Sequence, residues 1–262
     1  MKRFTIVFAL FTLFITLFPL NTLAADGGNK PYHFGFKKSK KGKPASINEE
    51  GFKSILEKHD AVFLGNSDKK ELYLTFDNGY ENGCTTKILD VLKAKQVPAA
   101  FFVTGHFVED KPELVKRMTA EGHLIGNHSW SHPDMSQISD EKIKTELDRV
   151  KNAVANLTGV QTMTFMRPPR GIFSDRVLEV SKQQGYTNVF WSVAYKDWDV
   201  RDQKGWKYAF DKVVAQLHPG AVILLHSISK DNTDALDKII DEARKQGYEF
   251  KSLENLDKRR IE

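Results

Sequence analysis

His128 and His132 stand four residues apart in Gly126-Asn127-His128-Ser129-Trp130-Ser131-His132-Pro133. Two imidazoles at that spacing can share a metal ion only if the backbone brings them to one side. On a strand, a rise of about 3.3 Å per residue would leave them roughly 13 Å apart. Imidazole nitrogens sit about 2.0–2.1 Å from zinc, which an extended backbone cannot satisfy for both rings. A single helical turn makes residues i and i+4 neighbours, and Pro133 keeps its predecessor out of the α region and ends the segment. The spacing predicts a strand over Leu124 to Asn127, one tight turn carrying both histidines, then a stop. Two hydrogen-bonded surface histidines are the alternative.

Other residue types in the chain could do chemistry beside such a pair. Asp77 follows Leu72-Tyr73-Leu74-Thr75-Phe76 and precedes Asn78-Gly79. Asn-Gly after a strand ordinarily marks a hairpin, but Thr85 to Lys95 continues with helical rather than strand period. In Arg167-Pro168-Pro169-Arg170-Gly171 the prolines fix φ and hold Arg167 extended, while Gly171 permits close backbone approach. The segment can aim a guanidinium inward and present a backbone N–H, or be a stiff surface loop. Asp197 and Asp199 flank Trp198, which either stacks on a sugar ring or packs in the core. His226 ends an otherwise apolar run, and its ordinary pKa near 6.5 suits a general acid if a carboxylate raises it.

The elements that must position these residues are legible as alternation. Apolar runs at Leu72 to Phe76, Ala99 to Val103, Leu124 to Asn127, Met163 to Met166, Val189 to Val193, Ala221 to Leu225 and Glu249 to Leu253 read as strands. Between them, Thr85 to Lys95, Pro112 to Ala120, Asp140 to Leu157, Asp175 to Gln184, Trp206 to Leu217 and Ala235 to Lys245 carry helical period. Ser139 and Ser174 are expected N-caps, and Gly185 and Gly247 follow helix ends. Upstream, Asn48 to His59 reads as a short helix and Ala61 to Leu64 as a short strand. Strands apolar on both faces that alternate with helices predict an α/β fold with a parallel sheet under helices. Seven of them favour a distorted, seven-stranded (β/α) barrel of the TIM type. Asp77, His128, Arg167, Asp197 and His226 all fall at or just beyond the carboxyl ends of strands, the face on which such a barrel carries its active site.

Composition sets the compartment. Met1 to Ala24 combines Lys2-Arg3, an apolar run from Phe4 to Leu20 and small residues before Ala25, the pattern of a cleaved signal peptide. An uncleaved anchor is the alternative, and either places the protein outside the cytoplasm. One cysteine, Cys84, permits no internal disulfide, so the core alone must hold the fold. A net charge of +5, part of it from Lys2 and Arg3, is too mild to point to nucleic acid. The basic run Lys37 to Lys43 is expected to be solvated, with contact to an anionic cell wall as the alternative. Residues 25–70 read as an N-terminal extension, 71–255 as the catalytic domain and 256–262 as a tail.

Thr75-Phe76-Asp77-Asn78-Gly79, His128-Ser129-Trp130-Ser131-His132, Arg167-Pro168-Pro169-Arg170-Gly171, Asp197-Trp198 and Leu224-Leu225-His226 resemble, in order, the five motifs of the polysaccharide deacetylase (NodB-homology) family. Phe76-Asp77-Asn78-Gly79-Tyr80-Glu81 is most similar to the bacterial peptidoglycan N-acetylmuramic acid deacetylases, which prepare muramic δ-lactam in spore cortex. The resemblance implies that His128, His132 and the residue at position 78 hold a divalent metal, zinc foremost, with manganese or cobalt as substitutes. It implies Asp77 as general base toward water, oriented by Arg167, and His226 as general acid, kept protonated by Asp197. The backbone N–H of Arg170 would meet the oxyanion, with Tyr80 and Trp198 lining the substrate site. The expected partner is the peptidoglycan glycan strand, met by a secreted monomer that is not membrane-bound once its leader is cut.

Two positions depart from the family pattern. Most members have aspartate where this chain has Asn78, whose amide is a neutral and weaker ligand, which predicts looser and less selective metal binding. Arg170 replaces a frequent tyrosine, and its guanidinium is expected to pair with a substrate carboxylate such as the lactyl group of muramic acid. Deacetylation of N-acetylglucosamine and a non-catalytic glycan-binding module are the competing readings. A zinc protease is disfavoured because H-E-x-x-H is missing.

Overall fold

The computed structural model describes residues 28–256, so the expected signal peptide and the tail from Asp257 lie outside the described residues. In chain order the elements are β1 (Tyr32–His33), α1 (Lys53–Lys58), β2 (Glu71–Asn78), α2 (Thr85–Lys95), β3 (Ala99–Val103), α3 (Gly105–Asp110), α4 (Pro112–Ala120), β4 (Leu124–Asn127) and α5 (Asp140–Thr158). There follow β5 (Phe165–Met166), β6 (Ile172–Phe173), α6 (Asp175–Gln183), β7 (Thr187–Asn188), α7 (Trp206–Val214), β8 (Ala221–His226), α8 (Lys230–Lys245) and β9 (Glu249–Phe250). Seven strands form one parallel sheet in the order β7-β5-β4-β3-β2-β8, with β9 paired to the start of β2. This is the α/β barrel that the alternation predicts.

Period-two alternation sorts each strand into two faces. Leu72, Leu74 and Phe76 of β2 lie under the helices with Phe101, Ile223, Ile88 and Ile240 in one large cluster. Tyr73 joins Ala100, Phe102, Phe165 and Val222 in the barrel interior. Thr75 and Asp77 continue Tyr73's face, so a column that begins in apolar packing ends in a carboxylate at the rim. Helix starts are fixed where serines predict them: Ser139 Oγ accepts from Lys142 N–H and Ser174 Oγ from Val177 N–H. Gly185 and Gly247, with φ of 85° and 82°, take the left-handed turn after α6 and α8 that side chains resist.

The barrel closes irregularly. The run Val189 to Val193, expected as a strand, forms single bridges instead, Val189 to Val62 and Val193 to Ile223, while β7 is only Thr187–Asn188. Ala61 to Leu64 likewise supplies bridges, the second from Leu64 to Ala221, rather than a strand of its own. These contacts span the seam between β7 and β8 in place of a continuous ladder. The helix expected over Asn48 to His59 shortens to α1, and α8 begins earlier than expected, at Lys230, capped by Ser229. Two features escape periodicity: the short helix α3, and the antiparallel pair β1–β6 that ties the N-terminal residues to the loop after Arg170. Ile47, Phe52, Leu56 and Phe63 from the N-terminal segment pack with Phe173 and Phe190 in a second core. No helix among the described residues is long and apolar enough to cross a membrane.

Candidate active site

Asp77, the penultimate residue of β2, is buried, with 7% of its surface exposed. One carboxylate oxygen, Oδ1, accepts from Arg167 Nη1 at 2.6 Å, and Oδ2 lies 3.5 Å from His128 Nε2. Burial alone would raise this carboxyl's pKa. The charges of Arg167 and His226 outweigh burial and hold it below its ordinary value, so Asp77 is a carboxylate throughout the neutral range.

Arg167 follows β5 and has no exposed surface. Beyond Asp77, it donates from Nη2 to Thr75 Oγ1 at 2.9 Å and to Phe190 O at 3.3 Å, and from Nε to Val189 O at 3.0 Å. Its guanidinium carbon sits 4.1 Å over the Phe102 ring. A buried charge needs this degree of pairing, and the planar fork can reach all four acceptors from one position. The expectation that Pro168 and Pro169 aim the side chain inward agrees with this placement.

His128 follows β4. Its Nδ1 lies 2.8 Å from Arg167 O, which can only accept, so Nδ1 carries the proton and the Nε2 lone pair faces the cleft. Burial is the main cause of its lowered pKa. His132 is pushed down to about 4, by burial first and by His128 second. The two rings lie 4.9 Å apart at 67°. They meet as the spacing requires, but not through a helical turn: Ser129 and His132 have φ of 62° and 56°, and the segment is an irregular loop. Ser129 Oγ accepts from His132 N–H at 3.1 Å and Asn127 Oδ1 from Ser129 N–H at 3.0 Å, so side chains supply the bonds a helix would have made.

Asn78 is fully buried, and neither its Oδ1 nor its Nδ2 has a hydrogen-bond partner. A buried unsatisfied amide costs about 1–3 kcal/mol. Two imidazoles that burial keeps neutral and a buried amide without a partner are donor types that suit a divalent cation. Among the described residues, no three His, Cys, Asp or Glu side chains gather into a metal site.

His226 is the last residue of β8 and the register partner of Asp77. Asp197 receives its Nδ1 at 2.7 Å and its backbone N–H at 2.8 Å. Burial would lower the pKa of the imidazole, but the contacts with Asp197 and the field of Asp77 raise it above 6.5. Trp198, 55% exposed, stands edge-on to the His226 ring at 5.8 Å, and Tyr80, 63% exposed, packs on His106 across the opening. Arg170 sits on a left-handed corner with φ of 57°. All the predicted site residues except Asn78, Arg167 and Asp197, which stand behind the wall, line one cleft of about 860 Å³. Phe34, Phe36 and Lys38 line it too, a contribution that no motif signals and that depends on the β1–β6 pairing.

The sequence profile of the polysaccharide deacetylase family matches residues 64–189. The peptidoglycan-N-acetylmuramic acid deacetylase PdaA of Bacillus subtilis is 52% identical over 87% of this chain and 86% of its own length. The solved structure of that protein, described as a family 4 carbohydrate esterase, superposes with a TM-score of 0.85, covering 87% of this chain and 97% of that one. A peptidoglycan-N-acetylglucosamine deacetylase of Bacillus cereus is 35% identical over 78% of this chain and 74% of its length. With this likeness extending over nearly all of the described fold, the chain belongs to the polysaccharide deacetylase family of amide-cleaving hydrolases.

Proposed function

We propose that this protein removes the acetyl group from N-acetylmuramic acid in peptidoglycan, releasing acetate and a free amine, outside the cytoplasm. The observation that carries the reading is the pairing of a low-pKa carboxylate, Asp77, with a high-pKa imidazole, His226, at register positions on one cleft wall. Opposite pKa displacements in neighbouring groups are the mark of an acid and a base with separate duties. Asp77 accepts a proton from the attacking water, and Arg167 keeps the carboxylate ionised and aimed. His226 donates its Nε2 proton to the departing nitrogen, because an amine anion does not leave unaided. The C–N bond breaks, the water oxygen stays with the acetyl carbon, and Asp197 holds the imidazole in orientation. The backbone N–H of Arg170 meets the developing oxyanion. His128, His132 and Asn78 would hold a divalent ion, zinc foremost, which when bound supplies Lewis acidity toward the carbonyl and lowers the pKa of water.

The Arg170 guanidinium supports muramic acid as the target, since that sugar, once free of its stem peptide, carries a lactyl carboxylate and N-acetylglucosamine does not. The likeness to a glucosamine deacetylase sustains the second reading, that sugar in the same polymer. Mass spectrometry of muropeptides after incubation with the protein, with and without chelator, separates them. Loss of one acetyl mass on muramic acid supports the first reading, loss on glucosamine the second. No loss in either, with metal supplied, leaves a glycan-binding module.

A further inference from the structure

Asn232 lies in the first turn of α8, 1% exposed, and belongs to none of the five motifs. Its Nδ2 donates to Asp197 Oδ2 at 2.5 Å and to His226 O at 3.3 Å, and its Oδ1 accepts from the Tyr195 hydroxyl at 2.5 Å. The Asp197 carboxylate and the His226 carbonyl can only accept, so the amide nitrogen must face them. The amide oxygen is thereby turned to the Tyr195 hydroxyl, whose donated bond holds the side chain in that orientation. The backbone of Asn232 is fixed as well, because Ser229 caps the helix and accepts from Asn232 N–H at 3.2 Å.

Asp197 has two oxygens and three donors. Oδ1 receives His226 Nδ1, while Oδ2 receives His226 N–H and Asn232 Nδ2. Without the amide, Oδ2 keeps one backbone bond and the carboxylate can rotate off the imidazole. We infer that Asn232, locked by Tyr195, is the positioning residue of the acid pair: it sets the carboxylate that sets His226. The Tyr195–Asn232–Asp197–His226 chain runs from the N-terminus of α8 to the end of β8 and reaches the cleft only at its last member and at Tyr195.

The inference rests on the reading of His226 as proton donor, and its test exploits the leaving group. An acetamide needs its nitrogen protonated to leave, whereas 4-nitrophenyl acetate expels a stable phenolate and needs no acid. The expected result for Asn232→Leu is a kcat on the N-acetylated glycan lower by about tenfold or more, and by no more than the roughly 10²–10⁴-fold that general acid–base catalysis contributes in full. KM should stay unchanged, and 4-nitrophenyl acetate should be hydrolysed at nearly the wild-type rate. Retained ester hydrolysis also reports an intact fold. Asn232→Asp, which keeps the Tyr195 bond but sets a carboxylate against Asp197, should show the same split. Equal losses on both substrates, or an unaltered amide kcat in both variants, would overturn the inference. The glycan is whichever of the two acetylated sugars the unaltered protein cleaves, so a wrong sugar assignment sinks only the muramic acid reading.

Discussion

Asp77 and His226 are register partners on adjacent parallel strands, so the base and the acid of one reaction stand side by side at the barrel rim. Each is flanked on its far side by a group that reinforces its charge: Arg167 on Asp77 at 2.6 Å, Asp197 on His226 at 2.7 Å. The four charges alternate in sign, which keeps two opposite ions close together without neutralising each other by proton transfer.

That alternation predicts the alkaline limb of the pH–rate profile. His226 has a raised pKa, so it must still be protonated, and amide hydrolysis sustained, above pH 6.5. Asp197→Asn removes the main raising influence and should move the alkaline limb of kcat/KM for acetate release to lower pH. Superimposable limbs would count against the assigned roles. Stability follows the same sign: a raised folded pKa gives a contribution that is full below pH 6.5 and fades as pH rises through the folded value. Chemical denaturation across that window should show it.

Arg167→Met leaves Asp77 buried without its partner. Breaking a buried pair by removing one member costs about 3–5 kcal/mol. A loss of stability of that size in urea, together with lost acetate release, is the expected outcome. Arg167→Lys should restore little, since an ammonium cannot serve Thr75, Val189 O and Phe190 O at the same time as Asp77.

Metal retention should persist on acidification well below pH 6.5, because burial first and His128 second hold the His132 imidazole neutral down to about 4. Metal analysis after dialysis at stepped pH measures this. Asn78→Asp should tighten retention by adding a charge to the unpartnered position. Equal retention by both proteins would show that position 78 does not hold the ion.

Arg170→Gly tests the sugar preference without disturbing the left-handed corner at φ of 57°, which glycine adopts freely. The backbone N–H survives, so glucosamine turnover should persist while the preference for muramic acid falls. An unchanged preference, measured on defined glycans, would separate the guanidinium from the lactyl carboxylate.

The strand ends carrying Asp77, His128, Arg167 and His226 are legible in the sequence because fully buried parallel strands announce themselves as apolar runs, and the first polar residue after each run marks the rim. The path from His128 to His132 is not, since left-handed residues at Ser129 and His132 obey no periodicity and are held by side-chain bonds to Asn127 and Ser129. The run Val189 to Val193 misleads for another reason. Most of its residues are as buried as those of a strand, but its partners are single bridges from distant segments. Asn232 gives no signal at all, because the helical period reads only from Ala235 and a polar residue before it reads as solvent-facing until the true helix start at Lys230 and the opposing loop are known.

The interrupted seam between β7 and β8 has a use. A complete ladder there would engage the carbonyls of Val189 and Phe190 with a neighbouring strand, yet both instead receive the Arg167 guanidinium. Mending the gap would deprive the cation of half its seat and let the carboxylate it steers swing loose. The imperfection in the wall is the socket on which turnover depends.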